Sequence, residues 1–175
     1  GLHEKVRDGL LILIGALWVA IFAQLRIPLP FTPIPITGQT FAVLLVAASL
    51  GAWRGVASLA LYLGFGISGL PVFAGGAAGL GHLFGPSGGY LFGFLLAAYV
   101  IGRMAERGLE RSLRTSFLPF LIGTFLIYLC GASWLAFFLG PIAALQKGVL
   151  PFVLGDSIKL ILAALALPTA WRLTR

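Results

Sequence analysis

Charged side chains are scarce in this sequence. Asp, Glu, Lys and Arg make up 10% of its 175 residues, whereas a soluble domain carries roughly 25%. Hydrophobic residues account for 59%, and the mean hydropathy is +1.04. This balance excludes a disordered chain, a nucleic-acid-binding module with a solvated surface and an ordinary soluble enzyme. The composition therefore predicts an integral membrane protein.

Cysteine and the common catalytic motifs are also lacking. The single cysteine, Cys130, has no partner for an internal disulfide and makes no metal site alone. The sequence contains no G-x-x-x-x-G-K-[ST] phosphate loop and no H-E-x-x-H. Residues 85–89 (GPSGG) match G-x-S-x-G in spacing, but they lie in a glycine-rich stretch and not in the strand–turn–helix context that this motif requires. We therefore expect a protein that is not an enzyme, hydrolyses no ATP itself and holds neither a metal nor a cofactor.

Apolar segments separated by charged or proline-rich stretches organise the chain. A membrane-spanning helix takes about 20 residues, and six such helices fit within the sequence. They are predicted at about residues 9–25, 38–52, 55–67, 90–105, 117–139 and 149–171. Thr37 is predicted as the N-cap of the second helix and also as a substrate contact, and residues 140–147 are predicted to form a short turn. The predicted fold is an all-α membrane protein, a bundle of six transmembrane helices with structured outer loops, in a single domain over residues 1–175.

The basic residues predict the orientation of this bundle. The net charge is +7, and the alternation of six helices divides the basic residues unequally between the two sides. One side carries only Arg26 and Lys147. The other carries Lys5, Arg7, Arg54, Arg103, Arg107, Arg111, Arg114, Arg172 and Arg175. Because loops rich in Lys and Arg remain in the cytoplasm, both termini are expected to be cytoplasmic.

Two unusual loops then face outward. Residues 26–37 hold four prolines, which forbid a helix there, and residues 68–89 are rich in glycine. Both are apolar and almost free of charge. Non-helical backbone persists near a membrane where protein covers it or where it lines a cavity. We expect the loops to cover the outer mouth of a pocket, with a position in the lipid headgroup region as the alternative.

Asp156 and Lys159 lie well inside the last predicted helix, away from its ends. They lie three positions apart and therefore on one helix face. A charge pair at this depth usually faces the bundle interior or a water-filled cavity. One interpretation is an ion pair that only neutralises itself. The other is a binding site that offers an acceptor and a donor to a small polar, neutral or zwitterionic ligand.

Further candidate contacts lie in or beside the two loops. The Gln39 amide is expected to be free because it is one position early for a capping box with Thr37. The aromatic residues could wall an apolar pocket or anchor the chain at the membrane interface; they are Phe31, Phe73 and Tyr90. His82 stands alone in the glycine-rich loop, and a lone histidine is more often incidental than a ligand contact.

The first predicted helix carries small residues at Ala16 and Ala20. Small residues four positions apart let helices approach closely within a membrane. This spacing is typical of internal packing and equally of a docking face for another membrane protein.

Three segments of the sequence resemble one known family. They are FTPIPITGQTFAVLL (31–45), GLPVFAGGAAGLGHLFGPSGGYLFGF (69–94) and PFVLGDSIKL (151–160). All three are similar to segments of the BioY family, the substrate-binding S components of energy-coupling-factor (ECF) importers for biotin. The similarity extends over nearly the whole chain, in the same order.

The resemblance implies a function and a set of partners. It implies a six-helix bundle in a prokaryotic cell membrane, surrounded by lipid, that binds biotin from outside and has no nucleic-acid role. It further implies a transmembrane T component and two cytoplasmic ATPases, which supply the ATP chemistry. By the same resemblance, Asp156 and Lys159 contact the ligand, and Ala16 and Ala20 contact the T component.

The alternatives that stay open belong to other classes. One is an S component for a different vitamin. Another is a membrane enzyme with an unrecognised Ser or Thr nucleophile, against which the lack of a neighbouring base counts. A channel or scaffold protein is the third, and the lack of a continuous polar stripe counts against a pore.

Overall fold

The computed structural model describes residues 1–109, 112 and 115–173, with the side chains of the last helix described as far as residue 169. Four basic residues used to predict the orientation lie outside this part: Arg111, Arg114, Arg175 and the side chain of Arg172. The described helices are α1 (Leu2–Gln24), α2 (Gln39–Ile67), α3 (Leu80–Leu83), α4 (Gly88–Ala105), α5 (Phe117–Leu139), α6 (Pro141–Gly148) and α7 (Leu150–Leu173). Two short strands, β1 (Arg26–Ile27) and β2 (Ile36–Thr37), form an antiparallel pair.

Helix α2 is a folded hairpin rather than one straight rod. A straight helix would separate Gln39 from Tyr62 by about 35 Å, yet the Gln39 Nε2 donates a hydrogen bond of 2.7 Å to the Tyr62 hydroxyl. The chain reverses at Gly51, whose φ of 79° and ψ of 178° are open to glycine but strained for other residues. The two arms therefore run antiparallel, as the sequence predicts for its second and third helices.

The prediction of a six-helix bundle is confirmed. Five described helices, α1, α2, α4, α5 and α7, are long and apolar enough to cross a membrane, and the α2 hairpin supplies two of the six bundle segments. Two predicted boundaries are wrong. Helix α1 begins at Leu2 rather than at residue 9, and the expected turn at 140–147 contains helix α6, which starts with Pro141 in the first turn, where proline is tolerated.

Small residues bring the helices into close contact. Helix α4 packs against α2 and α5, and α1 packs against α2. A Cβ atom added at Gly102 of α4 would overlap the backbone of Ala52 in α2, and one added at Gly131 of α5 would overlap the Tyr90 ring. Close backbone approach of this kind is how helices gain packing energy within lipid.

One end of the bundle concentrates charge. Arg54 Nη2 lies 2.9 Å from Asp8 Oδ1, which joins α1 to the second arm of α2. Glu106 Oε1 accepts the Ala52 N–H at 2.9 Å and so satisfies a free amide where that arm begins. Lys5, Arg7 and Arg103 belong to the same ends of α1 and α4.

The two outer loops fold back over the opposite end. Thr32 Oγ1 donates to the Lys147 carbonyl at 2.7 Å, which ties the proline-rich loop to α6. In the glycine-rich loop, the Gly79 amide donates to the Gly66 carbonyl at 2.7 Å. Trp134 Nε1 of α5 donates to the Gly85 carbonyl at 2.9 Å. These bonds hold non-helical backbone against the helices, in agreement with the prediction that the loops cover the bundle.

Candidate ligand-binding cavity

A cavity of about 340 Å³ lies beneath the two loops. This volume is within the usual range for small-molecule sites. The proline-rich loop contributes Arg26, Pro33, Ile34 and Pro35, and the glycine-rich loop contributes Ala74, Gly75, Gly76, Ala77, His82 and Ser87. Strand β2 contributes Thr37, and the helices contribute Gln39, Thr40, Tyr90, Leu91, Phe94, Ile127, Tyr128, Phe152, Asp156 and Lys159.

Asp156 is the buried charge of this cavity. Its residue surface is 5% exposed. Oδ1 accepts hydrogen bonds from Lys159 Nζ at 2.6 Å and from Thr40 Oγ1 at 3.0 Å, and Oδ2 accepts one from the Tyr128 hydroxyl at 2.6 Å. A carboxylate can accept about four hydrogen bonds, so acceptor capacity remains for a ligand N–H.

Lys159 uses all of its hydrogen-bond donors within the chain. Besides Asp156, its Nζ donates to the Thr37 carbonyl at 2.6 Å and to Thr40 Oγ1 at 3.2 Å. An ammonium group has three N–H donors, and all three are used. The geometry is therefore compatible with both interpretations, a self-neutralising ion pair and a ligand-binding site. Asp156 and Lys159 neutralise each other, and both line the cavity.

Thr40 and Tyr128, the two hydroxyl partners of Asp156, were not predicted from the sequence. Thr40 lies one position after Gln39 in α2, and Tyr128 lies in the middle of an apolar run in α5. A hydroxyl on the inward face of an apolar helix was the available signal for Tyr128, because buried hydroxyl groups require partners.

Gln39 and Thr37 line the cavity, but Gln39 is not free as predicted. Thr37 is not the N-cap residue, although its Oγ1 accepts the Gln39 N–H at 3.3 Å. Helix α2 begins at Gln39 with Gly38 as its N-cap, because Thr37 is held in β2 opposite Arg26. Thr37 Oγ1 donates to Gln39 Oε1 at 3.1 Å, and Gln39 Nε2 donates to Tyr62. The Gln39 amide is therefore not free, and it joins β2 to both arms of α2.

The three aromatic candidates have different positions. Tyr90 lines the cavity, and its hydroxyl donates to the Gly148 carbonyl at 2.6 Å. Phe73 is 0% exposed and lies behind the cavity wall, with its ring 5.6 Å from the Tyr62 ring and 5.0 Å from the His82 ring. Phe31 is 55% exposed and also lies outside the lining. The prediction that Phe73 touches the ligand space is thus wrong in this structure, because the ring fills the gap between loop and helix.

His82 lies between Phe73 and the cavity. Partial burial of the imidazole lowers its pKa below the usual 6.5, because desolvation disfavours the charged form. The ring is therefore neutral at neutral pH and adds no charge to the cavity.

Ala16 and Ala20 are core residues. Their exposed fractions are 0% and 8%, and the adjacent Gly15 packs so closely on Ser58 that a Cβ there would overlap its hydroxyl. The small-residue spacing thus serves packing of α1 on α2. Both methyl groups are buried in the isolated chain, and their contact with a T component stays a prediction.

Comparison with known proteins matches this architecture over its whole length. A model of the BioY family matches residues 2–175. A protein named biotin transporter BioY from Thermotoga maritima is 42% identical over 168 residues, which cover 94% of this chain and 93% of the relative. The chain belongs to the BioY family.

Further BioY proteins share the same extent. A probable biotin transporter BioY from Pyrococcus horikoshii is 39% identical over 89% of this chain and 93% of its own length. A crystal structure described as the S-component for biotin from an ECF-type ABC transporter superposes with a TM-score of 0.88 at 28% identity. That superposition covers 97% of this chain and 93% of the other. The family resemblance found in the three sequence segments is therefore confirmed.

Proposed function

We propose that this chain is the biotin-binding S component of an ECF-type importer. The observation that carries the proposal is the Asp156–Lys159 pair lining a cavity in a chain that matches the BioY family from residue 2 to residue 175. Membership of a family whose relatives carry transporter names also confirms the prediction that the chain is not an enzyme.

The cavity has the chemistry that biotin requires. Biotin carries a flat ureido group with two N–H donors and one carbonyl acceptor, joined to an apolar thiophane ring and valeryl chain. The open acceptor position on Asp156 suits a ureido N–H, and the neighbouring Tyr128 hydroxyl can rotate to donate to the ureido carbonyl. Phe94, Ile127 and Phe152 supply apolar surface for the ring. Such a site binds through apolar burial and a few placed polar groups.

Membrane orientation and partners complete the proposal. The end of the bundle that carries Lys5, Arg7, Arg54, Arg103 and Arg107 is assigned to the cytoplasm, which directs the cavity outward. The sequence contains no phosphate-binding loop, so ATP hydrolysis falls to two cytoplasmic ATPases, coupled through a transmembrane T component. The lipid-facing surface of the helices remains available to that component.

Equilibrium binding of labelled biotin to the detergent-purified chain tests the proposal. We expect saturable binding at one site per chain with a Kd below about 1 µM, which corresponds to about 8 kcal/mol. Unlabelled biotin should displace the label, whereas thiamine and riboflavin should not. Tighter binding of another vitamin would favour the alternative S component, and no binding of any vitamin would reject the transport assignment.

A further inference from the structure

The charges that line the cavity do not cancel. Three formally charged lining residues are described, namely Arg26, Asp156 and Lys159. Asp156 and Lys159 neutralise each other through their contact of 2.6 Å, and His82 is neutral at neutral pH. One positive charge therefore remains, and it belongs to Arg26.

The guanidinium of Arg26 also has unused hydrogen-bonding capacity. Within the described part of the chain, the Arg26 side chain makes no hydrogen bond and no ion pair. The described acidic residues other than Asp156 are Glu4, Asp8 and Glu106, and they belong to the opposite end of the bundle. Lys159, by contrast, already uses its three donors. Arg26 is thus the cationic lining group with donors to spare.

The surrounding chain holds this guanidinium at the mouth of the cavity. Arg26 lies in β1 and pairs with Thr37, whose carbonyl accepts the Lys159 ammonium. The guanidinium lies against the backbone of Gly75, where an added Cβ would overlap it, and Gly75 has a φ of 69°. Arg26 therefore links the proline-rich loop to the glycine-rich loop above the Asp156–Lys159 pair.

We infer that Arg26 is the residue that binds the carboxylate of the ligand, so that the cavity selects a monoanion whose acid group lies at the mouth and whose polar ring lies at the depth of Asp156. A guanidinium presents two parallel N–H donors that match a carboxylate, and its charge persists at every physiological pH. This inference rests on the proposed function. It assigns the two polar ends of the ligand to different residues. Asp156 binds the ring, and Arg26 binds the carboxylate.

Biotin and its carboxamide, which lacks the negative charge, separate the two sites experimentally. We expect the parent chain to bind biotin about tenfold more tightly than the carboxamide, since a hydrogen bond to a charged group at a partly solvated position has about this effect. Arg26→Gln should remove that preference by weakening biotin binding, with the affinity for the carboxamide changed less than about twofold. Arg26→Lys keeps the positive charge but loses the two parallel N–H donors of the guanidinium, so it should retain part of the preference for biotin over the carboxamide.

Lys147→Gln is the matched control, because Lys147 is an exposed cation on the same side of the chain and does not line the cavity. It should leave the preference for biotin unchanged. The inference is overturned if the parent binds biotin and the carboxamide equally, or if Arg26→Gln keeps the parental preference. A parent chain that binds neither compound would instead reject the proposed function itself.

Discussion

Lys159→Met is expected to cost about 3–5 kcal/mol of the free energy of unfolding and to weaken biotin binding. The substitution removes the 2.6 Å contact to Asp156 and the bond to the Thr37 carbonyl. Asp156, with 5% of its surface exposed, would then be a buried charge without a counter-charge. Denaturant unfolding in detergent measures the loss of stability.

Asp156→Asn addresses the same pair from the acidic side. It keeps the shape but replaces a charged acceptor with an amide, and its loss of a charge-assisted hydrogen bond should cost roughly 1.5–3 kcal/mol, or about 10- to 150-fold in biotin affinity. Affinity must be measured on variants shown to be monodisperse, because breaking the pair also affects folding.

The double variant Asp156→Asn/Lys159→Met separates binding from folding. Removing both charges avoids a stranded charge, so the double variant should be more stable than Lys159→Met alone, while biotin binding stays weak. Lys147→Met, at an exposed position, controls for the loss of a lysine and should change neither property. A double variant that folds and binds biotin as the parent does would make the pair purely structural and place the ligand elsewhere.

Phe73→Ala should cost about 3–5 kcal/mol of the free energy of unfolding, as expected for truncation of a buried aromatic ring. The Phe73 ring is 0% exposed and packs on Tyr62 and on His82. Its own carbonyl accepts the Gln24 Nε2 at 3.2 Å, which ties the loop to α1. A cavity left by the ring would loosen the wall that carries His82, so biotin should also dissociate faster.

Phe31→Ala is the matched control for this truncation. Phe31 is a loop phenylalanine with 55% of its surface exposed, and substitutions at such positions usually change stability by less than about 0.5 kcal/mol. Thermal unfolding of both variants in one detergent makes the comparison. Equal losses would mean that Phe73 does not hold the loop against the helices.

Most of the fold could be predicted from the sequence because it depends on local sequence patterns. Four prolines in residues 26–37 exclude a helix, and runs without charge mark the membrane segments. Asp156 and Lys159 lie on one helix face by their spacing alone. The Gly51 reversal was visible as a short break between two apolar runs, although the backbone remains helical almost up to that residue.

Long-range contacts were less accessible. Thr40 donates a hydrogen bond to Asp156 although the two residues are 116 positions apart in sequence. No pattern in the residues near Asp156 predicts that partner. The spacing of Ala16 and Ala20 indicates a close approach but does not say which helix approaches. Phe73 is an aromatic residue of the type that lines apolar pockets, yet its ring packs against Tyr62. Each of these outcomes depends on how the elements pack, which local periodicity does not encode.

The position of Arg26 in the cavity could not be predicted from the sequence for a different reason. In the sequence Arg26 counts as a cation on the outer side, useful for orientation. Its position in the cavity depends on the pairing of β1 with β2 and on a glycine at position 75 that leaves room for the guanidinium. Two-residue strands carry too little pattern to be predicted from sequence.

Thiol labelling of Ser87→Cys in a Cys130→Ala background tests most directly that biotin occupies the outward-facing cavity. Ser87 lines the cavity and makes no side-chain cap bond at the start of α4, and Cys130 is the sole native cysteine. An impermeant thiol reagent applied outside intact cells should label this variant, and biotin should slow the labelling in proportion to its occupancy. Arg107→Cys, at the charged end, should stay unlabelled. Labelling of Arg107→Cys from outside, or labelling of Ser87→Cys that saturating biotin leaves unchanged, would contradict the account.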